Sequence, residues 1–132
     1  MKKTISLILT FFLSQCFLCC GFVRDEQIVG KYHIFAVDTE NESCLGYQLE
    51  DGNSICIVPP KVVAYCKNGQ YILVKQMDVE NKKKLNYYIV PILSNNQTVF
   101  PDDSIVGPLN RNQFDKEILK MRLGNLEFKK TN

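Results

Sequence analysis

The sequence predicts a mainly β (α+β) fold, an antiparallel β-meander of about six strands with one C-terminal packing helix. Three observations carry that expectation. Residues 62–76, VVAYCKNGQYILVKQ, are two apolar strand-like runs joined by Asn68-Gly69, the strongest short hairpin signal, because a two-residue type I′ turn needs positive φ at both central positions. Short runs with period-two alternation recur before and after it, separated by turn residues. Residues 110–124 carry the one convincing helical pattern, with a cap at each end. Within the hairpin, Val62, Ala64 and Cys66 share a face with Tyr71 and Leu73, and Val63 and Tyr65 share the other with Ile72 and Val74. Both faces are apolar, so the sheet is expected to be covered on both sides. Gly69 is expected at positive φ, where a β-branched side chain would be strained.

Residues 1–21 are expected to be a signal peptide with a lipobox-like region, and residues 22–132 a single β-rich extracytoplasmic domain. Lys2-Lys3 precede an apolar run over residues 5–13, the pattern of a bacterial secretory signal. Cys16, Cys19 and Cys20 crowd the end of that run. Leu13-Ser14-Gln15-Cys16 resembles the lipobox of bacterial lipoproteins, with Gln15 where a small residue is usual, and Phe17-Leu18-Cys19-Cys20 is a second, weaker match. Lipidation is expected on Cys16, with Cys20 as the alternative. Plain cleavage after Gly21 and an uncleaved anchor are the competing outcomes; the apolar stretch is shorter than the ~20 residues that span a bilayer. Each outcome places the domain outside the cytoplasm, on the periplasmic or envelope side of a membrane.

With 45% hydrophobic residues, no Trp and one His, the composition is that of a folded domain with a modest core. Removing Lys2 and Lys3 from the 16 basic residues leaves 14 against 14 acidic ones. A neutral domain argues against nucleic acid as a partner, since phosphate binding needs a surplus of Lys and Arg on one surface. The one basic run, Lys82-Lys83-Lys84, reads as a solvated turn.

In chain order, residues 22–25 read as a tether and residues 28–38 as the first strand. Residues 44–50 alternate Leu45, Tyr47 and Leu49 with Gly46, Gln48 and Glu50, the pattern of a half-exposed strand. Residues 54–58 form a short strand stopped by Pro59-Pro60, since proline lacks the donor that a central strand needs. After the hairpin, residues 86–93 resume as a strand and residues 94–106 are a loop. Asn110 is the expected N-cap, Gln113 completes a capping box, and Leu109 staples against Phe114. Phe114, Ile118 and Met121, with Leu119 alongside, form the apolar stripe, Gly124 the stop, and residues 126–128 a last short strand.

The set VPPKVVAY, YILVKQ, NYYIV and Gly107-Pro108-Leu109 opening a helix with Phe114 resembles a family of small bacterial lipoproteins whose domain is of unknown function. That resemblance implies a secreted, lipid-anchored β-rich domain. It implies no catalytic residues.

No catalytic constellation is legible. His33 is the one histidine, lies in an expected strand and has no nucleophile motif beside it. Cys44, Cys56 and Cys66 lack the close pairing of zinc sites, so no metal or other cofactor is expected. In an oxidising compartment Cys56 and Cys66, which flank Pro59-Pro60, can form a disulfide; Cys44 and Cys56, which flank Asp51-Gly52, can do so equally well, and three buried free thiols are the remaining alternative. Asp102 and Asp103 read as exposed loop acids, and Tyr65, Tyr71, Tyr87 and Tyr88 suit a binding surface or a core about equally. The expected function is a non-enzymatic envelope lipoprotein that binds a protein or small ligand through its sheet or through residues 94–106. The alternative is an immunity or inhibitor protein whose partner is a toxin or enzyme.

Overall fold

The computed structural model describes residues 21–94 and 101–131. Among these residues nine strands and one α-helix are formed: β1 (Arg24–Val29), β2 (Tyr32–Ala36), β3 (Cys44–Gln48), β4 (Ser54–Val58), β5 (Val62–Lys67), β6 (Tyr71–Met77), β7 (Leu85–Pro91), β8 (Val106–Leu109), α1 (Arg111–Lys120) and β9 (Lys129–Lys130). They make two antiparallel sheets, in the order β1-β2-β3-β4 and β8-β7-β6-β5-β9. The mainly β class with one helix holds, but the strands exceed six and divide between two sheets.

The division falls at Pro59-Pro60. Two consecutive residues without a backbone N–H end the ladder of β4, and the chain crosses to begin the second sheet at Val62. Mutual bonds between Ser43 and Val62 hold the crossing: the Val62 amide donates to the Ser43 carbonyl at 2.9 Å, and the Ser43 hydroxyl donates to the Val62 carbonyl at 3.4 Å. The second sheet therefore lies over the first. Their facing side chains form one core, with Tyr32, Ile34, Leu45 and Val58 from the first sheet against Val62, Ile72, Val74 and Val90 from the second. Each such burial is worth about 1.5–3 kcal/mol relative to an exposed side chain. The buried Tyr32 hydroxyl donates to the Pro91 carbonyl at 2.9 Å and accepts from the Leu93 amide at 3.2 Å.

The far side of the second sheet is covered as well. Cys66, Leu73, Tyr87, Ile89 and Phe114 make a second core, closed by Ile118, Met121, Leu126 and Phe128. Coverage of the hairpin on both faces is thus as expected, and Tyr65, Tyr87 and Tyr88 are core residues. The turn is not the expected one. Cys66 pairs with Leu73 and Lys67 with Ile72, so the central residues are Gly69 and Gln70, and Gly69 has no positive φ. Asn68 organises the turn instead: its Oδ1 accepts the amides of Gln70 at 2.8 Å and Tyr71 at 2.7 Å. Pairing is displaced by two residues from the type I′ register, which leaves each residue on its expected face. Val62 is the exception. A register shift between Val62 and Ala64 turns its side chain to the Tyr65 side.

Residues 28–38 do not form one strand. Gly30, at φ 53°, makes a tight turn that separates β1 from β2, and half of the expected tether, Arg24 and Asp25, belongs to an edge strand. The helix has the expected capping box between Asn110 and Gln113. Its end differs: Arg122, at φ 53°, donates its amide to the Leu119 carbonyl and Leu123 donates to that of Ile118, a Schellman closure two residues before Gly124. Leu119 is 78% exposed and lies outside the apolar stripe. The last strand is Lys129–Lys130 and not residues 126–128.

Two stability measurements follow from these geometries. Asn68→Ala removes two backbone acceptors and is expected to lower stability by about 1 kcal/mol, whereas Gly69→Ala stays within about 0.5 kcal/mol of wild type; equal urea midpoints for the two variants would contradict the turn. Arg122→Gly relieves a left-handed non-glycine residue and should raise stability by about 0.5–1 kcal/mol in the same assay.

Candidate functional site

Two surface regions bring chemistry-bearing residues together. One lies on the face of the first sheet that points away from the second. There His33 is 7% exposed, and its Nδ1 lies 2.6 Å from Asp25 Oδ1. The imidazole stacks on Phe35 at 5.0 Å, and the Phe22 ring meets it edge-on at 6.2 Å. Its Nε2 is buried without a partner. A Cβ on Gly46 would come within 2.2 Å of the Phe35 ring and 3.1 Å of His33 Nε2, so glycine is what lets both rings lie down on β3. Asp25 holds the ring from one side and the backbone of Gly46 closes the other. The same His33–Asp25 pair borders a small pocket of ≈ 180 Å³ shared with Gln27, Gly30, Lys31 and Gln48.

Beside this cluster Cys44 and Cys56 form a disulfide across β3 and β4, with Cα atoms 5.8 Å apart. The expected Cys56–Cys66 bond is excluded by position. Cys66 faces the helix on the far side of the second sheet, is a buried free thiol, and has its pKa raised by burial. An apolar groove of ≈ 560 Å³ runs from the disulfide past Phe35, Val37 and Pro60 to Val79.

The second region is the seam where β1 meets β5 and β9. Glu26 is its centre, 2.6 Å from both Arg24 Nη2 and Lys129 Nζ, and it accepts the Tyr65 hydroxyl at 2.8 Å. Lys129 foremost, then Arg24 and Tyr65, hold the Glu26 carboxyl down to about 2 from its ordinary 4.5, against the opposing effect of burial. Burial, then the bond to Glu26, raises the pKa of Tyr65. Lys67 Nζ donates to the Ile28 carbonyl at 2.7 Å. These residues border an open groove of ≈ 530 Å³ whose lining mixes charged groups with the Tyr65 ring and Ile28. Such a surface suits contact with a polar partner.

A family model described as "Protein of unknown function (DUF3997)" matches residues 29–132. The chain belongs to that family. No curated protein and no solved structure matches it. The DUF3997 match begins at the last residue of β1, so Asp25 and Glu26, which reach His33 and Lys129, precede the matched segment.

Cys16 and Cys20, the expected lipidation sites, lie outside the described residues. Residues 94–106, the expected contact loop, lie partly outside them, and Val106 already belongs to β8. Asp102 and Asp103 are exposed in a 3-10 turn, and Lys82, Lys83 and Lys84 are exposed between β6 and β7. Among the described residues no three His, Cys, Asp or Glu side chains are grouped to hold a metal ion, and no helix is long and apolar enough to cross a membrane. Sequence reasoning missed the pairs Asp25–His33 and Glu26–Lys129. The signal was the alternation in RDEQIV, where Arg24, Glu26 and Ile28 share one face.

The seam should make stability depend on pH in acid. Because folding lowers the Glu26 pKa, its contribution is complete above about 4.5 and is lost as pH falls through about 2. Glu26→Gln is therefore expected to be less stable than wild type at pH 7, with the gap closing between pH 4.5 and 2. Urea midpoints measured across that range decide it, and a gap independent of pH would contradict the assignment.

Proposed function

We propose that this chain is a small cell-envelope lipoprotein that acts as a non-enzymatic binding module, with the seam groove as its contact surface. The observation that carries the reading is the disposition of its reactive groups. The sole histidine is largely buried and held by Asp25, and Glu26 is engaged by three partners. The open surface offers hydrogen bonds, charge and aromatic contact, the means by which small domains recognise partners. The leader with Lys2-Lys3 and its cysteines motivates export and anchoring. The Cys44–Cys56 bond suits the oxidising side of a membrane.

The test has two parts on the full chain. A fatty-acid label is expected on the wild type and on Cys20→Ser but not on Cys16→Ser; label lost only from Cys20→Ser moves the anchor, and an unlabelled wild type refutes the lipoprotein. A photo-crosslinking residue in place of Gln27, exposed on the seam, is then expected to give a discrete adduct in the producing cell's envelope or with an added toxin. An adduct with a toxin identifies an immunity protein, and no adduct refutes the seam as the contact surface.

A further inference from the structure

The strands alternate direction, which sorts the connections between two ends of the sandwich. The chain enters at Phe22 and Val23 on the same end as the β2–β3, β4–β5 and β6–β7 connections. The β1–β2, β3–β4 and β5–β6 turns lie at the other. Contacts between the sheets confirm the sorting, since Lys61 Nζ bonds Asn41 Oδ1 at 2.6 Å and Val37, Pro60 and Val79 line a single groove. At the opposite end Lys67 bonds the Ile28 carbonyl, beside the Gly30 turn.

The two ends differ in polarity. Phe22, Val23, Val37, Val79 and Leu85 are all 42% exposed or more, and all lie at the entry end. Among the described residues, the other exposed large hydrophobics are Val106 on β8 and Leu119 on α1, and the far turns have none. Exposed apolar groups gathered on one end mark a surface that another apolar phase covers. The charges at the entry end are mixed, Asp38, Glu40 and Glu80 against Lys61, Lys82 and Lys83, so the contact rests on apolar area and not on net charge.

We propose that this entry end docks on the bilayer to which the chain is tethered, with Val37 and Val79 entering the interfacial region and the seam groove held off the surface. The inference rests on the lipoprotein reading above. Chain length selects the lipid over other occupants. Phe22, packed 5.0 Å from Phe35, is two residues from Cys20 and six from Cys16. An extended chain covers at most ~3.6 Å per residue, so a lipid on either cysteine keeps this end within about 20 Å of the membrane. The apolar end is thus the one that an anchor would bring to the lipid, and burial of such a face at the headgroup boundary is favourable.

The chain has no Trp, so a single substitution supplies an unambiguous reporter. Full-length Val79→Trp, Val37→Trp and Gln70→Trp, reconstituted in phosphatidylethanolamine and phosphatidylglycerol vesicles containing brominated lipid, are compared by fluorescence. Residues 79 and 37 are expected to emit blue-shifted light and to be quenched several-fold more strongly than residue 70. Protein that sediments with the vesicles but shows equal, weak quenching at all three positions overturns the docking and leaves the anchor standing. A blue shift at residue 79 without quenching means that another protein or a second copy covers this end, and also overturns it. Protein that does not sediment at all removes the anchor and the docking together.

Discussion

The structure depends on one constraint, the absence of two consecutive backbone donors at Pro59-Pro60. A sheet that continued through this point would be a single layer with one apolar face unburied, and a lone meander of this size is a poor core. Breaking the ladder there sends the second half of the chain across the first. The Ser43–Val62 bonds fix the crossing, and the aligned inner faces then bury Tyr32, Leu45, Ile72 and Val90 together. Because the second sheet is covered on one side by the first, α1 need only cover the other. Its stripe is accordingly short: Phe114 is buried on it, while Ile118 and Met121 are partly covered.

The two sheets have different outer surfaces, and this asymmetry shapes the candidate site. The second sheet is closed by α1 and by the segment through Phe128. The first has no covering element among the described residues, and it protects itself with its own side chains. Phe22, His33 and Phe35 lie flat over Gly46, and the Cys44–Cys56 disulfide ties β3 to β4 beside them. The cost is visible in His33 Nε2, a buried nitrogen without a partner. Asp25 offsets part of it through Nδ1. A ring held in this way contributes area and orientation to the face.

Much of this was legible in the sequence, and the failures have physical causes. Alternation of period two gave the faces of residues 63–76 correctly even though the turn differs from the expected one, because the true register differs by two residues and parity survives an even displacement; only Val62, beyond the register shift, changes face. The Asn68 side chain won the turn by accepting two amides, a local bond that competes with the type I′ geometry which Asn-Gly usually signals. Gly30 escaped notice since a two-residue Gly30-Lys31 turn is too short to interrupt the run of strand-forming residues on either side. The helix cap was readable because both partners of a capping box are three residues apart; its C-terminus was not, because a left-handed arginine has no compositional signature. The disulfide could not be chosen from spacing. Both pairs close short loops, and only the layer order shows that Cys56 and Cys66 lie on opposite sides of a sheet.

The seam acquires a mechanical meaning when the first strand is considered together with the anchor proposed for it. Any pull on a tether attached before Phe22 would act on β1, an edge strand with a partner on one side alone. Its backbone bonds to β2 run across the strand, so a pull along the strand shears several of them at once instead of opening them singly. Glu26 adds a second attachment. Through Tyr65 and Lys129 it joins β1 to β5 and β9 of the other sheet, bridging 103 positions of sequence. Displacing β1 would strip Glu26 of Tyr65 and Lys129, and His33 of its carboxylate. It would also expose the inner face around Ile28. The strand nearest the proposed leader is therefore fastened to both sheets, which suits a domain held at its N-terminal end, as proposed above, and presenting its seam to the surroundings.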